Sequence, residues 1–241
     1  MATQTSFKTA AKDLESQLID LANEQYATDD YLRLYKTKFT KKGAQVYFLQ
    51  HAHFNLNRRD CWGYVQGASP MHIKKLVWEH EEEELAGDRQ RGVADHYTLA
   101  VKQGANLDLT PDDFNTAAQM DGTFTACQAW LNVAQRSPWI EAFAASACLE
   151  VANSEELIKG GCLSRRVGEK LRDDLGIPMK KQYSNAEHVT ADVEHGLLLL
   201  KVAREATTDA ERQLILSGTQ KSFAIDRIFR NYLASLVEKH A

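Results

Sequence analysis

Apolar residues recur at helical spacing along almost the whole chain, and this periodicity constrains the fold more than any other feature. Leu14, Leu18 and Leu21 share one helical face, and a second stripe that includes Ile225 and Phe229 follows near the end. No long stretch alternates between apolar and polar residues as a half-buried strand would. The 241 residues contain only 4 prolines and 13 glycines, which argues against a loop-rich sandwich or barrel. The pattern predicts an all-α protein without a sheet.

Capping residues and glycines mark where these helices begin and end. Thr110 followed by Pro111 is typical of a helix start, and we interpret Asp121-Gly122 as a helix stop. Because the connections are short and no linker is evident, we expect a single domain over residues 1–241, a bundle of about seven principal helices plus shorter pieces. The predicted helices are 8–26, 30–56, 70–86, 92–103, 111–121, 124–135, 138–152, 154–175, 182–206 and 209–239.

Charge and composition exclude several classes of partner. The formal net charge is -4, so no global positive field exists to hold nucleic acid or an anionic membrane. The most apolar stretch, residues 196–200, falls far short of the roughly 20 apolar residues of a membrane span. The start of the chain lacks a secretory pattern, so we expect a cytoplasmic protein. Its four scattered cysteines, which form no CxxC pair, are then reduced thiols.

The most informative segment lies late in the chain, where His188, Asp192 and His195 follow one another at helical spacing. At about 100° per residue, these positions fall within a stripe about 60° wide. Two imidazoles and a carboxylate on one face suit iron or manganese and do not suit calcium or magnesium. The alternative is a surface helix whose polar residues are solvated or bonded within the core. The stripe continues into the apolar Leu199, which favours an inward face.

One helix supplies only one wall of a metal site, so other helices must contribute inward acids or histidines. Glu150 ends the Ala-rich face of a middle helix, where it could equally mark the helix emerging into solvent. In the acid run 79–84, Glu84 shares a face with His80 and is the best candidate to point inward, with Glu81 as the alternative. His96 opens the next predicted helix and could also be a capping or surface residue.

These elements together resemble the haem-oxygenase-like diiron oxidases and oxygenases. The shared features are a glutamate-rich helix end, a histidine opening the next helix, a glutamate deep in a middle helix, and H-x3-D-x2-H followed by glycine late in the chain. The resemblance covers about residues 30–235, and it departs from the family in the longer loop before His96. It implies a haem-oxygenase-like bundle, a homodimer and a metal ligand set consisting of Glu84, His96, Glu150, His188, Asp192 and His195, with Glu81 as the alternative to Glu84.

The resemblance also implies a function. That function is a non-haem iron enzyme with two Fe(II) per chain, which activates dioxygen to oxidise a small carboxylate-, amine- or aromatic-containing metabolite, with an external electron donor allowed. Burying so many charged ligands would be costly without metal to neutralise them. Residues that could line the cavity are His51, His53, Trp78, Tyr97 and Trp139, although aromatic residues at helical spacing more often belong to the core.

Two alternatives remain open from the sequence. One is a metal-independent enzyme similar to thiaminase II or pyrroloquinoline-quinone synthase C, which would need a nucleophilic cysteine or a ring of basic residues. Cys148 is two residues before Glu150 and is expected to face away from it. The other is a non-catalytic helical interaction protein whose acid run binds a basic partner. No basic residue stands out as a carboxylate clamp; those considered are Arg165, Arg166, Lys180, Lys181 and Arg227.

Overall fold

The structure, a computed structural model, describes the backbone of residues 2–241 and the side chains of residues 14–189 and 195–241. Along this backbone there are twelve α-helices, two short 3-10 turns and no strand, which confirms the all-α prediction. Eight of the described helices have 13 residues or more, against about seven predicted. The helices are α1 (Ala2–Ala27), α2 (Asp29–Lys36), α3 (Lys41–Ala68), α4 (Met71–Ala86), α5 (His96–Gly104), α6 (Pro111–Thr116), α7 (Asp121–Arg136), α8 (Trp139–Asn153), α9 (Leu163–Leu175), α10 (Tyr183–Gly196), α11 (Leu198–Glu205) and α12 (Asp209–Glu238).

Helix α8 is the centre of the bundle. Every residue from Ile140 to Ala152 is buried, because α12, α10, α7, α11, α3 and α1 all pack around it. A helix surrounded in this way is apolar on all sides, and small residues allow its neighbours to approach closely. Five of its fifteen residues are alanine for this reason. Glu150 therefore lies in the interior and does not mark the helix emerging into solvent.

The first predicted boundary that the structure corrects is the helix over 30–56. It divides into α2 and α3, and α3 continues to Ala68. The break is stabilised from both sides: the Asp174 carboxylate accepts a hydrogen bond from the backbone N–H of Phe39 (2.8 Å), and the side chain of Thr40 caps α3 by accepting from Gly43 N. Only the packing of α9 beside this segment supplies the first of these bonds.

Asp121-Gly122 is not a helix stop, as the sequence pattern had indicated, but the first turn of α7. The preceding α6 already ends at Thr116, and the side chain of Gln50 from α3 holds the intervening segment. Its amide donates to Ala118 O and its carbonyl accepts from Met120 N, both at 2.9 Å. Asp121 then lies at a helix N-terminus, where a negative charge is favourable.

Three other boundaries shift for local reasons. The helix expected over 154–175 begins only at Leu163, because Gly160 and Gly161 adopt positive φ values of 81° and 93° that a helix cannot continue. The helix expected over 182–206 divides at Leu197 into α10 and α11. The helix expected over 92–103 begins at His96, where the Asp95 side chain caps it by accepting from Thr98 N. Among the described residues, no helix combines the length and the apolar character that crossing a membrane requires.

Candidate metal centre

Four helices, α3, α4, α5 and α10, bring acids, histidines and arginines together against the central helix α8. The contacts between them join residues that are far apart in sequence, except for the pairs within α4. We call this group the acid–histidine cluster. Its described members are Arg58 and Arg59 on α3, His80, Glu81 and Glu84 on α4, His96 on α5, Glu150 on α8, and His188 and His195 on α10.

A single glycine brings His96 back to α4. Gly87 ends α4 with φ +68°, and a Cβ on it would lie 2.3 Å from Val93 O. The loop therefore turns back directly over the end of α4, in a conformation that glycine alone adopts without strain. His96 Nδ1 then lies 2.9 Å from Glu84 Oε1, so the longer loop does not separate the two residues.

A second glycine brings α10 against α8. A Cβ on Gly196 would lie 2.7 Å from Ser154 Cβ and 3.5 Å from the backbone oxygen of Glu150. The absence of a side chain lets the two helices touch at the point where one carries His195 and the other carries Glu150. The glycine that follows the late histidine motif thus has a packing role.

Glu84 is the acid at the middle of the cluster. Its Oε1 lies 2.9 Å from His96 Nδ1 and 3.8 Å from His195 Nδ1, while its Oε2 receives Arg59 at 2.9 Å. Burial alone would raise the pKa of Glu84, but Arg59 and His96 hold it well below its ordinary value. Glu84 is therefore an ionised carboxylate that faces histidines from two different helices.

His80 has the clearest geometry for binding a cation. Its ring is fully buried, and its Nδ1 lies 3.0 Å from Glu81 Oε1. A carboxylate can only accept, so Nδ1 donates to Glu81 and Nε2 is the ring nitrogen left for another contact. That Nε2 has no hydrogen-bond partner among the described residues and faces Glu150 Oε1 at 3.7 Å, too far for a hydrogen bond. A ring nitrogen and a carboxylate oxygen at this separation in a buried site can both bind one metal ion.

The other histidines have compatible geometry. His188 Nδ1 donates to the backbone oxygen of Ser184 (2.7 Å), which leaves Nε2 as its metal-binding atom. The rings of His96 and His188 lie 4.5 Å apart, and those of His80 and His195 lie 4.6 Å apart. One ligand atom each from His80, Glu84 and His195 all lie within 4.8 Å of one another. The donor set, nitrogen and carboxylate oxygen, suits iron.

Two arginines, Arg58, which is buried, and Arg59, which is half-buried, revise the expectation that metal alone must neutralise the acids. Arg58 donates to Glu150 Oε1 (2.7 Å), and Arg59 lies 2.8 Å from Glu81 and 2.9 Å from Glu84. Burial opposes ionisation of Glu150, but Arg58 and His80 lower its pKa to about 2. The acids are therefore charged and already partly compensated without metal. The carboxylates by themselves do not require a cation, and it is the histidine nitrogens facing them that complete the geometry of a metal site.

The structure brings five of the six predicted ligands together: Glu84, His96, Glu150, His188 and His195. The side chain of Asp192 lies outside the described residues, so its role stays a prediction of the spacing. Glu84 faces His96 and His195, whereas the alternative, Glu81, faces Arg59 and His80. His80 was recognised on the face of Glu84 but not as a ligand. Arg58 and Arg59 gave no sequence signal, since an arginine in a polar helical stretch normally faces solvent.

A cavity of about 340 Å³ adjoins the cluster. Glu84, His96, Glu150 and His188 line it, and apolar and aromatic residues from α1, α2, α3 and α8 form much of the remaining wall. Of the residues expected there, His51 and Tyr97 do line it. His53 instead contacts Ala117 O, Trp78 is 63% exposed, and Trp139 packs against the hydrophobic core. Its volume is in the range of small-molecule sites.

The cluster can be compared with known proteins. A family model described as iron-containing redox enzyme matches residues 45–227. The chain belongs to this family. The match spans α3 to α12 and so includes every described member of the cluster. No curated protein matches the chain.

Several solved structures of other proteins have the same fold as this chain. A CADD-like protein of unknown function from Nostoc punctiforme has a TM-score of 0.68 at 14% identity, covering 96% of this chain and 97% of that one. A domain of unknown function with a haem-oxygenase-like fold from Shewanella denitrificans gives 0.69 at 14%, covering 95% and 92%. A TenA homologue from P. horikoshii gives 0.62 at 14%, covering 98% and 99%. At this identity the likeness establishes a haem-oxygenase-like fold and nothing finer.

Proposed function

We propose that the chain is a non-haem, diiron oxidoreductase that uses dioxygen to oxidise a small metabolite. The ligands proposed for iron are Glu84, His96, Glu150, His188, Asp192 and His195, together with His80. Iron bound there would supply the sites at which dioxygen binds and the electrons that first reduce it. The substrate would occupy the adjoining cavity, and an external donor would restore the reduced state.

The protein's own residues orient the ligands and exclude water. Arg59 holds Glu84 and Arg58 holds Glu150, so neither carboxylate is free to rotate. The Ser184 carbonyl fixes the ring of His188 in the tautomer that presents Nε2. Such supporting contacts tune metal affinity as well as geometry. Phe48, Phe54 and Leu149 provide apolar wall to the cavity.

The observation that carries the proposal is the facing pair of His80 Nε2 and Glu150 Oε1. These two buried ligand atoms lie 3.7 Å apart with no hydrogen bond between them, and Nε2 has no hydrogen-bond partner among the described residues, so both are placed to bind one cation. Membership of an iron-containing family gives this cation an identity. Glu150 belongs to the sequence pattern that suggested iron, whereas His80 does not, so His80 adds an observation that the pattern did not contain.

The cysteines disfavour a metal-independent enzyme of the thiaminase type. All four are buried, and burial raises the pKa of Cys148 and Cys127 to about 12 and that of Cys61 to about 11. A thiol with such a pKa is protonated at neutral pH and is a poor nucleophile. The TenA homologue shares the fold, so the fold alone favours neither the iron enzyme nor the thiaminase-type enzyme. The protonated thiols favour the iron enzyme.

The surface offers less support for a simple interaction protein. Within the acid run, Glu81 and Glu84 turn inward to Arg59, and only Glu79, Glu82 and Glu83 remain exposed. Of these, Glu83 also contacts His195 Nε2 at 2.8 Å. A docking surface for a basic partner would keep its acids exposed and unpaired.

The decisive experiment compares the iron content of His195→Ala and His72→Ala after anaerobic loading with Fe(II). His195 is a proposed ligand, whereas His72 is an exposed histidine on α4 that pairs with Glu205 at 3.4 Å. We expect about two irons per chain in the wild type and in His72→Ala. His195→Ala should lose metal affinity by more than the roughly 10–100-fold typical of a supporting residue, and dioxygen consumption should fall with it.

Equal iron in the two variants, or no iron in the wild type, would contradict the proposal. Asp192→Ala and Glu194→Ala extend the same assay to the part of α10 whose side chains are not described. The sequence spacing predicts loss of iron in the first and none in the second, because Glu194 falls about 130° from the centre of the stripe.

A further inference from the structure

A second buried guanidinium lines the cavity, on a helix that carries no member of the acid–histidine cluster. Arg230 on α12 is 3% exposed, and its Nε donates to Asp226 Oδ1 at 2.9 Å. Its Nη1 is buried and has no hydrogen-bond partner among the described residues. A buried N–H of a charged group is costly to leave unbonded, so the cavity beside it is built for an acceptor that the protein does not supply.

The charges around Arg230 favour an anion over a neutral acceptor. Asp226 has both oxygens engaged, Oδ1 by Arg230 and Oδ2 by the side-chain amide of Gln25 (3.1 Å). The carbonyl oxygen of Gln25 accepts in turn from Arg227 at 2.8 Å. The network therefore contains two guanidinium ions and one carboxylate, with Arg227 half-buried and outside the cavity lining. Within the cavity, the unbonded N–H of Arg230 is the group that an anion would meet, and a charge-assisted hydrogen bond to an anion is stronger than one to a neutral acceptor.

The surroundings also fix the guanidinium in place. Its Cζ lies 5.2 Å from the ring centroids of both Phe54 and Phe229, within cation–π range. Tyr47 lines the same cavity, and the positive charge of Arg230 partly offsets the rise in the pKa of Tyr47 that burial causes. An arginine held this way presents its N–H groups at a fixed position, as in sites that bind carboxylates bidentately.

A second polar atom in the same cavity is without a hydrogen-bond partner among the described residues. His51 Nε2 is buried and has no hydrogen bond among the described residues, and its ring stacks on Tyr47 at 5.5 Å between centroids. Burial and the Arg230 guanidinium keep the pKa of His51 well below its ordinary value, so the ring is neutral. His51 lines the same cavity as Arg230 and as His188 of the acid–histidine cluster.

We infer that Arg230 binds the carboxylate of the substrate, with His51 as a second polar contact, and so directs the other end of the molecule toward the acid–histidine cluster. The reaction in this scheme rests on the proposed diiron function, but the binding of the carboxylate by Arg230 does not. Phe48, Ala52, Phe54 and Leu149 line the same cavity, and this apolar wall favours a small carboxylic acid with an apolar body. Arg230 is a binding and orienting residue in this scheme.

The test measures binding of two carboxylates, benzoate and octanoate, and of their neutral amides, benzamide and octanamide. Isothermal titration calorimetry on the iron-loaded wild type should give at least tenfold tighter binding for one carboxylate than for its amide. Arg230→Lys keeps a cation beside Asp226 but loses the planar fork. It should weaken carboxylate binding by about 10- to 100-fold, as expected for a charge-assisted hydrogen bond, and leave amide binding nearly unchanged.

Two further variants keep the result interpretable. Arg212→Lys changes a half-buried arginine of the same helix that lies outside the cavity and should bind both probes as the wild type does. The double variant Asp226→Asn, Arg230→Met removes both charges together, so neither is left uncompensated in the core. It should lose the carboxylate preference as well, and its melting curve shows whether it is folded.

Several outcomes would overturn the inference. These are equal binding of carboxylate and amide by the wild type, no binding of either carboxylate at millimolar concentration, or unchanged carboxylate binding in Arg230→Lys. The last result would place the carboxylate on the metal instead. Iron content measured in the same samples separates the two proposals. A protein that binds no iron but still prefers the carboxylate contradicts only the diiron proposal. A protein that binds iron but does not prefer the carboxylate contradicts only the role inferred for Arg230.

Discussion

At the scale of single residues, Glu84 and Glu81 differ by what their neighbours allow them to do. Both contact Arg59, but only Glu84 faces His96 and His195, while Glu81 Oε1 fixes the ring of His80 through Nδ1. Glu84 therefore has the position of a ligand and Glu81 that of a supporting group. The sequence could not separate them, because residues three apart lie on nearly the same face of a helix.

The prediction at this scale compares Glu84→Gln with Glu81→Gln, each a change of charge at nearly constant volume. Glu81→Gln should weaken iron binding by no more than the roughly 10–100-fold typical of a group behind the ligands. Glu84→Gln should weaken it further, because a ligand charge is lost. Competition with a chelator measures both affinities. A larger effect of Glu81→Gln would make Glu81 the ligand instead.

At the scale of helices, the bundle depends on close approach of α8 and α12. Gly218 on α12 lies so near α8 that a Cβ on it would be 2.2 Å from the backbone oxygen of Glu141. Backbone cannot move aside as a flexible side chain can. Any side chain at position 218 would therefore separate the two helices, one of which carries Glu150 and the other Arg230.

We expect Gly218→Ala to lower the free energy of unfolding by roughly 1–3 kcal/mol, the usual cost of overpacking a core. The matched change is Gly63→Ala on α3, where a Cβ would meet nothing within 4 Å. There alanine should raise the free energy of unfolding by up to about 1 kcal/mol, because it has the higher helix propensity. Urea denaturation measures both. Equal effects of the two substitutions would be inconsistent with the contact between α8 and α12.

At the scale of the whole molecule, the outer face of α4 leaves large apolar residues in contact with solvent. Met71, Trp78 and Leu85 recur every seven residues and are 67%, 63% and 62% exposed. This spacing places them along one side of the helix, opposite the side that carries His80 and Glu84. Exposed apolar stripes of this kind are typical of protein interfaces.

The homodimer implied by the resemblance remains a prediction, and we expect this stripe to be its contact. Light scattering at micromolar concentration should give about 54 kDa, twice the 27.1 kDa of one chain. Trp78→Glu should shift the mass toward one chain, because it would bury a charge at the contact. Phe124→Glu, a change at an exposed aromatic residue on α7, should leave the mass at two chains. A monomeric wild type would contradict the expectation.

The sequence by itself determined the all-α class, most helix starts and the residues of the late motif. Each of these depends on local physics: the 3.6-residue period, capping hydrogen bonds and the spacing of side chains along one helix. For this reason Thr110 caps its helix as the pattern indicates, and His188 and His195 lie on the helix where they were expected. The helix breaks at 37–40 and 154–162 were missed because contacts from other parts of the chain, or glycines in positive φ, decide them.

Only the tertiary structure decided which groups face one another. Arg58 pairs with Glu150, and His80 Nε2 faces the same carboxylate, so both contacts join residues of different helices. Arg230 Nη1 is left without a hydrogen bond because, among the described residues, no neighbouring helix places an acceptor beside it. No periodicity encodes such relations, since a helix face specifies that a residue is buried and not what it meets there. The energetic reason is that the cost of burying a charge depends on the group that it pairs with. The packing of the bundle determines that group, and glycines at 87, 196 and 218 allow the close approaches on which this packing depends.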